Sequence, residues 1–460
     1  MQNVTKPTYA NPSQKVPRRI LSSLLSSVCA GVVPRSGAPY IAIGREEEIS
    51  ALLSDLNEIN EGGGAMRFLI GRYGSGKSFL IQLVRGYALE REFVTADADL
   101  TPERRFSGSD GASLATYREL IKNLACKSSP EGGALPVILA KWFTALRTDA
   151  VAEGADPASA AFAAAVKRKI YDVCRKLESN VGGFDFSRVL CEYYEADVSG
   201  DDGKKSACLR WLRGEYKTRT EAKAALQVTV GSIVDDDNWY DYIKLMAQFV
   251  RFAGYRGLVL FVDECVNLYK ISNRISRENN YEKILSMFND TLQGRAPYLM
   301  MVLGGTPQFL EDTRRGLFSY DALRSRLSDS RYARSDYRDM LSPLIRLKRL
   351  TDDELLALIL RLTALHAQYY SWTPRVTDGQ MVQFLQVSTA RAGADTMITP
   401  REMIRDYMSL LNILYQNPTA DFEALVGTVT APKEDTDPAP AAPTPETQTK
   451  SAYTLDDIEL

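Results

Sequence analysis

The sequence predicts an α/β fold: a parallel sheet with helices on both faces, a helical insertion and a C-terminal helical lid. Three observations carry that prediction. Short apolar runs at residues 66–70, 93–98, 258–262 and 298–303 read as buried strands, separated by helical segments. Helical patterning dominates residues 113–255, and the alanine-rich stretch 150–170 has high helix propensity. Residues 340–430 lack strand signals and offer helices at 352–367, 379–390 and 400–416.

In chain order, residues 1–17 are polar with three prolines and read as a flexible arm. Helices are expected at 18–30 and 45–60. The strand at 66–70 then leads into a glycine-rich loop and a helix at 77–90. The core unit is expected to span 18–338, with the helical insertion at about 113–250. A lid domain follows at 339–430. Residues 431–460, rich in proline, alanine, threonine and acids, read as a disordered tail. Its last ten residues, SAYTLDDIEL, either dock on a partner or form a solvated end.

Composition narrows the function. With 45% apolar and 25% charged residues, the 460-residue chain reads as an ordinary globular protein of two or three packed units. No stretch reaches the roughly 20 apolar residues of a membrane span, and the N-terminus lacks a secretory core, so no membrane role is expected. Six scattered cysteines without a C-x-x-C pair, and His366 as the single histidine, argue against a zinc site. One histidine also removes Ser/His and Cys/His catalysis. Unpaired thiols suit a reducing cytoplasm. His366 itself is expected on a helix surface. The net charge is −2, but the last 30 residues hold seven acids and two bases, leaving the rest near +3. That balance neither demands nor excludes nucleic acid.

The most specific motif is GRYGSGKS: Gly71, Arg72, Tyr73, Gly74, Ser75, Gly76, Lys77 and Ser78, followed by Phe79. It fits G-x-x-x-x-G-K-[ST] between an apolar strand and an amphipathic helix. Glycines let backbone N–H groups wrap phosphates, and the helix start adds partial positive charge. Lys77 would reach the β- and γ-phosphates of ATP, and the Ser78 hydroxyl would ligate Mg²⁺. The motif predicts a P-loop NTPase. A second carboxylate is needed on a nearby buried strand, and LVLFVDE, Leu258 to Glu264, supplies it. Acids ending an apolar run are costly unless they face a polar site. Asp263 would serve the Mg²⁺ shell, and Glu264 would orient the attacking water, which fits an ATPase better than a kinase. The 186 residues from Lys77 to Asp263 require the insertion.

Other positions carry two readings each. Thr306, ending the strand MMVLGGT, either contacts the γ-phosphate or water, or caps the next turn. In YDALRSRL, Arg326 first and Arg324 second are either finger arginines reaching a neighbour's ATP or surface ion-paired residues. Arg401, in TPRE at a helix start, either touches phosphates from the lid or lies on a solvated face. Residues 314–349 hold ten bases and four acids, suiting either a nucleic-acid backbone or a subunit interface.

At this point the chain resembles a known family: the P-loop ATP-binding proteins of BREX-type phage-defence systems, BrxD-like. The resemblance covers about residues 18–416. It is carried by AIGREEEI (42–49), GRYGSGKSF (71–79), TYREL (116–120), PEGGALP (130–136), VDECVNL (262–268), RRGLFSYDALR (314–324) and ITPREMIR (398–405). The Gly-Arg-Glu stretch and the lid arginine also resemble the origin-recognition branch of AAA+ ATPases. The resemblance implies a cytoplasmic ATPase of bacteria or archaea that acts on double-stranded DNA beside partners. Those include a superfamily 2 helicase or a TerB-like protein; a homo-oligomer is expected separately, from the finger-arginine reading. The chain has no helicase, nuclease or methyltransferase motif set of its own. An alternative is a nucleotide-gated scaffold with slow hydrolysis.

Overall fold

Residues 15–159, 161–177, 181–329, 338–391 and 399–428 are described in a computed structural model. Among them, five strands form one all-parallel sheet: β1 (Gly64–Ile70), β2 (Val94–Asp99), β3 (Leu258–Asp263), β4 (Leu299–Gly305) and β5 (Leu344–Arg346). Their order is β2-β3-β4-β1-β5. The fold is the expected α/β arrangement of a P-loop NTPase core.

The strands read as continuous apolar runs because both faces are covered. Met66, Phe68 and Ile70 of β1 pack into one core with Leu258, Leu260 and Val262 of β3 and Leu299, Met301 and Leu303 of β4. The intervening Leu69, Val259, Phe261, Met300 and Val302 pack into the core on the opposite face. Helices α2 (Glu46–Asn60) and α3 (Lys77–Glu90) cover that second face through residues such as Leu52, Leu56, Leu80 and Val84. An arginine also lies within β1. Arg67 is buried and satisfied, donating to Asp55 of α2 at 2.6 Å and to the Leu341 carbonyl at 3.1 Å.

Between β2 and β3 the chain forms α4 (Ala112–Lys122), α5 (Leu135–Ala152), α6 (Phe162–Arg175), α7 (Gly183–Ser199), α8 (Asp202–Leu212), α9 (Arg219–Leu226) and α10 (Trp239–Phe252). Their apolar faces join the first core through Trp142, Phe186, Trp211 and Phe249. The alanine-rich stretch is not one helix. It breaks between Ala152 and Phe162, where Asp156 and Pro157 form turns, so that Val166 and Ile170 fold back onto that core. Helix α12 (Arg274–Leu292) follows β3 and the short α11 (Val266–Tyr269). Two further short helices follow β4: α13 (Pro307–Glu311) and α14 (Asp321–Leu327).

The C-terminal helices are α15 (Asp352–Tyr370), α16 (Asp378–Arg391), α17 (Pro400–Gln416) and α18 (Phe422–Thr428). They have their own core, and the N-terminal α1 (Arg18–Cys29) belongs to it: Leu21, Leu24 and Leu25 pack with Leu362, Tyr407 and Leu411. Helix α1 was expected in the core unit. Its apolar face finds its partners instead on α15 and α17. Val16 is also buried there and bonds to Gln368 through its carbonyl at 2.8 Å, so residues 15–17 are not a free arm. Residues 1–14 and the tail 431–460 lie outside the described residues.

Two further expectations are corrected. Residues 340–430 contain a strand, β5, which pairs with β1 through Phe68, Leu69 and Ile70. It is three residues long and takes its extended form from that neighbour. His366 is buried, not on a helix surface: its Nδ1 accepts from Trp372 Nε1 at 2.9 Å, and its Nε2 lies 3.0 Å from Asn412 Oδ1. Among the described residues, no helix is long and apolar enough to cross a membrane.

Candidate functional site

The sheet order sets the site. The loop after β1 and the acids after β3 emerge at the same carboxyl edge, one strand apart, with β4 between them. The Gly71 N–H donates to Gly305 O of β4 at 3.1 Å, joining the loop to the sheet. Helix α3 begins at Lys77, so its unsatisfied first-turn N–H groups open toward the loop.

The sequence-predicted residues largely converge. Ser78 Oγ donates to Asp263 Oδ2 at 2.8 Å, and the Glu264 N–H donates to Asp263 Oδ1 at 2.8 Å. Lys77 Nζ donates to the Gly71 carbonyl at 2.9 Å and the Arg72 carbonyl at 3.2 Å. Burial lowers the Lys77 pKa, opposed by the charges of Asp263 and Glu264. Glu264 has a left-handed backbone, φ +56, uncommon for a non-glycine residue. One cavity is lined by Tyr73, Gly74, Ser75, Gly76, Lys77, Ser78, Phe79, Asp263 and Glu264, together with Thr399, Pro400 and Arg401 of the lid. The same cavity is also lined by the apolar Val28, Val33, Ile41, Ile43 and Ile404. A lining that combines charged and apolar residues suits a nucleotide, which has a charged and an apolar part.

The pair Ser78–Asp263 also fits a divalent cation. Octahedral Mg²⁺–O distances of about 2.1 Å put adjacent ligands about 3 Å apart, close to the separation of these two oxygens. Mg²⁺ there would neutralise phosphate charge, with Ser78 and Asp263 as its protein oxygens.

Other predicted residues stand apart. Thr306 does not line the cavity; its hydroxyl caps α13 by accepting the Phe309 N–H at 3.2 Å. Arg72 lines an adjoining hollow and gives its carbonyl to Lys77. Arg324 and Arg326 are exposed on α14 and absent from the cavity wall; Arg326 Nη1 donates to Ala322 O at 2.8 Å. The basic stretch 314–349 spends several charges internally. Arg346 pairs with Asp329 at 2.9 Å, Arg338 pairs with Glu48 at 2.9 Å, and Arg315 binds backbone carbonyls. Residues 330–337 lie outside the described residues.

Two residues at the site were given no role from the sequence, although Arg45 lies in the Gly-Arg-Glu stretch noted there. Asp99 ends β2 in register with Asp263, and burial followed by the charges of Asp263 and Glu264 raises its pKa. The alternating acids of VTADAD were its signal. Arg45 lines the cavity and bonds to the loop. Its signal was an arginine directly before the acid-rich start of α2.

An all-parallel sheet with a glycine-rich loop ahead of Lys77 defines a P-loop nucleotide-binding protein. The family described as BREX system ATP-binding protein BrxC/D matches the chain over residues 16–430. The chain belongs to this family of ATP-binding proteins. No curated protein matches it.

Proposed function

We propose that this chain is an AAA+-like ATPase that couples ATP·Mg²⁺ hydrolysis to work on DNA with partner proteins of a BREX-type defence system. The observation that carries the proposal is the direct Ser78–Asp263 bond, with Lys77 and Glu264 in the same cavity. In this reading the backbone of residues 71–78 cradles the phosphates and Lys77 takes the β- and γ-oxygens. Ser78 and Asp263 hold Mg²⁺, and the Glu264 carboxylate orients and polarises the attacking water. Arg401 reaches the phosphates from the lid.

Arg326 or Arg324, exposed and away from the chain's own cavity, would act as a finger on a second copy in a homo-oligomer. Thr306 keeps its capping role. The apolar residues of the cavity lining support a base such as adenine. The basic stretch 314–349 would contact double-stranded DNA or the neighbouring copy. We assign the domains as a core from α2 to about 347, with an insertion near 113–250, and a lid beyond it that α1 joins. A cytoplasmic setting fits the unpaired thiols.

Lys77→Ala should abolish measurable ATP binding in calorimetry, and duplex DNA should raise native turnover. Native affinity in Lys77→Ala would overturn the site. A rate indifferent to DNA would favour a nucleotide-gated scaffold, which the shared lining of cavity by loop and lid also supports.

A further inference from the structure

Arg45 has no part in the chemistry proposed above, yet it is among the most firmly held cations in the chain. It stands at the start of α2 and is 5% exposed. Its Nη2 donates to the Ser75 carbonyl at 3.0 Å and to the Lys348 carbonyl at 2.7 Å. Its Nη1 lies 3.6 Å from the carboxylate of Glu48, which is 2% exposed and also holds Arg338. A guanidinium presents its donors in a rigid planar fork, so these contacts constrain one another. One side chain thus ties the phosphate loop to the segment between β5 and α15. The residue before it packs against the start of α15. Gly44 has φ +71, and a Cβ there would fall 2.4 Å from Glu354 Oε1, in the capping box of α15.

The consequence runs through a peptide plane. The chain has no cis peptide among its described residues, so the Ser75 C=O and the Gly76 N–H point in opposite directions. Arg45 holds the carbonyl. The Gly76 N–H has no acceptor among the described residues, and Gly76 lines the cavity. We infer that Arg45 is a positioning residue: it fixes the Ser75–Gly76 peptide so that the Gly76 N–H is aimed at a nucleotide phosphate. Through Lys348 it also sets where the lid begins relative to that loop. The inference rests on the nucleotide-site reading. An amide aimed at a phosphate serves ground state and transition state alike, so its loss raises KM and leaves kcat near native.

The test compares the full chain with Arg45→Ala, Arg45→Lys and Lys77→Ala. It measures ATP and ADP affinity by calorimetry, thermal melting, and kcat at saturating ATP. Folded Arg45→Ala should bind both nucleotides about tenfold more weakly, as expected for one lost hydrogen bond to a charged group, with kcat near native. Arg45→Lys should show a smaller loss, because an ammonium cannot span both carbonyls and Glu48. Native affinity in folded Arg45→Ala, or a loss confined to kcat, overturns the inference. Should Arg45→Ala fail to fold, Arg45→Lys decides, and native affinity there overturns it. Native affinity in Lys77→Ala would instead sink the site itself, whatever Arg45 does.

Discussion

A missing methyl group lets Asp263 sit where it does. A Cβ on Gly304 would fall 2.3 Å from Asp263 Oδ1. That oxygen accepts the Glu264 N–H, and the other holds Ser78. Gly304→Ala must therefore push the carboxylate and loosen Glu264 with it. A displacement of about 1 Å in a catalytic group costs on the order of a hundredfold in rate. We expect Gly304→Ala to lower kcat at saturating Mg·ATP by that order while ATP binding persists through Lys77. Steady-state turnover checks this, and a native kcat would show that Asp263 is not placed by β4. The acid pair was legible in the sequence because charge at the end of an apolar run is rare. Gly304 was not, since its role depends on a strand 41 residues earlier in the chain.

Helices and strands with strong periodicity were read nearly to the residue, as in α3 and α17. The departures share one physical cause, which is that a distant neighbour decided the outcome. β5 is a strand because β1 pairs with it, and α1 joins the C-terminal helices because α17 presents the matching apolar face. His366 reads as a surface residue on α15 but is enclosed by Trp372 and by Asn412 and Tyr415 of α17. Its enclosure has a pH consequence. Burial lowers the His366 pKa below the ordinary 6.5, with the Asn412 bond opposing. The unfolded chain then takes the proton more readily, so stability is complete above about pH 6.5 and falls as pH drops below it. A proton on Nδ1 would also face the Trp372 N–H donor. Melting of the native chain should decline between pH 6.5 and 5.5 more steeply than that of His366→Gln. Parallel curves would remove His366 as the cause.

Across the described residues there are three cores, two on the faces of the sheet and one among the C-terminal helices and α1, and the last of these lends Val28, Ile41 and Leu358 to the cavity wall. The sequence announced the loop, the acids and the lid arginine, since each is a local pattern. It did not announce that α1 contributes Val28 to the same cavity, or that Arg45 bridges loop and lid. Those depend on packing between segments some 300 residues apart, which no local periodicity encodes. In the function proposed, Ser78, Asp263 and Glu264 act on a single triphosphate as a hydrolytic site. The most direct measurement pairs ATP affinity with turnover in Glu264→Gln. Affinity should stay native while kcat falls by about 10²–10⁴-fold, the range for losing a general base. Native turnover in that variant would contradict the claim.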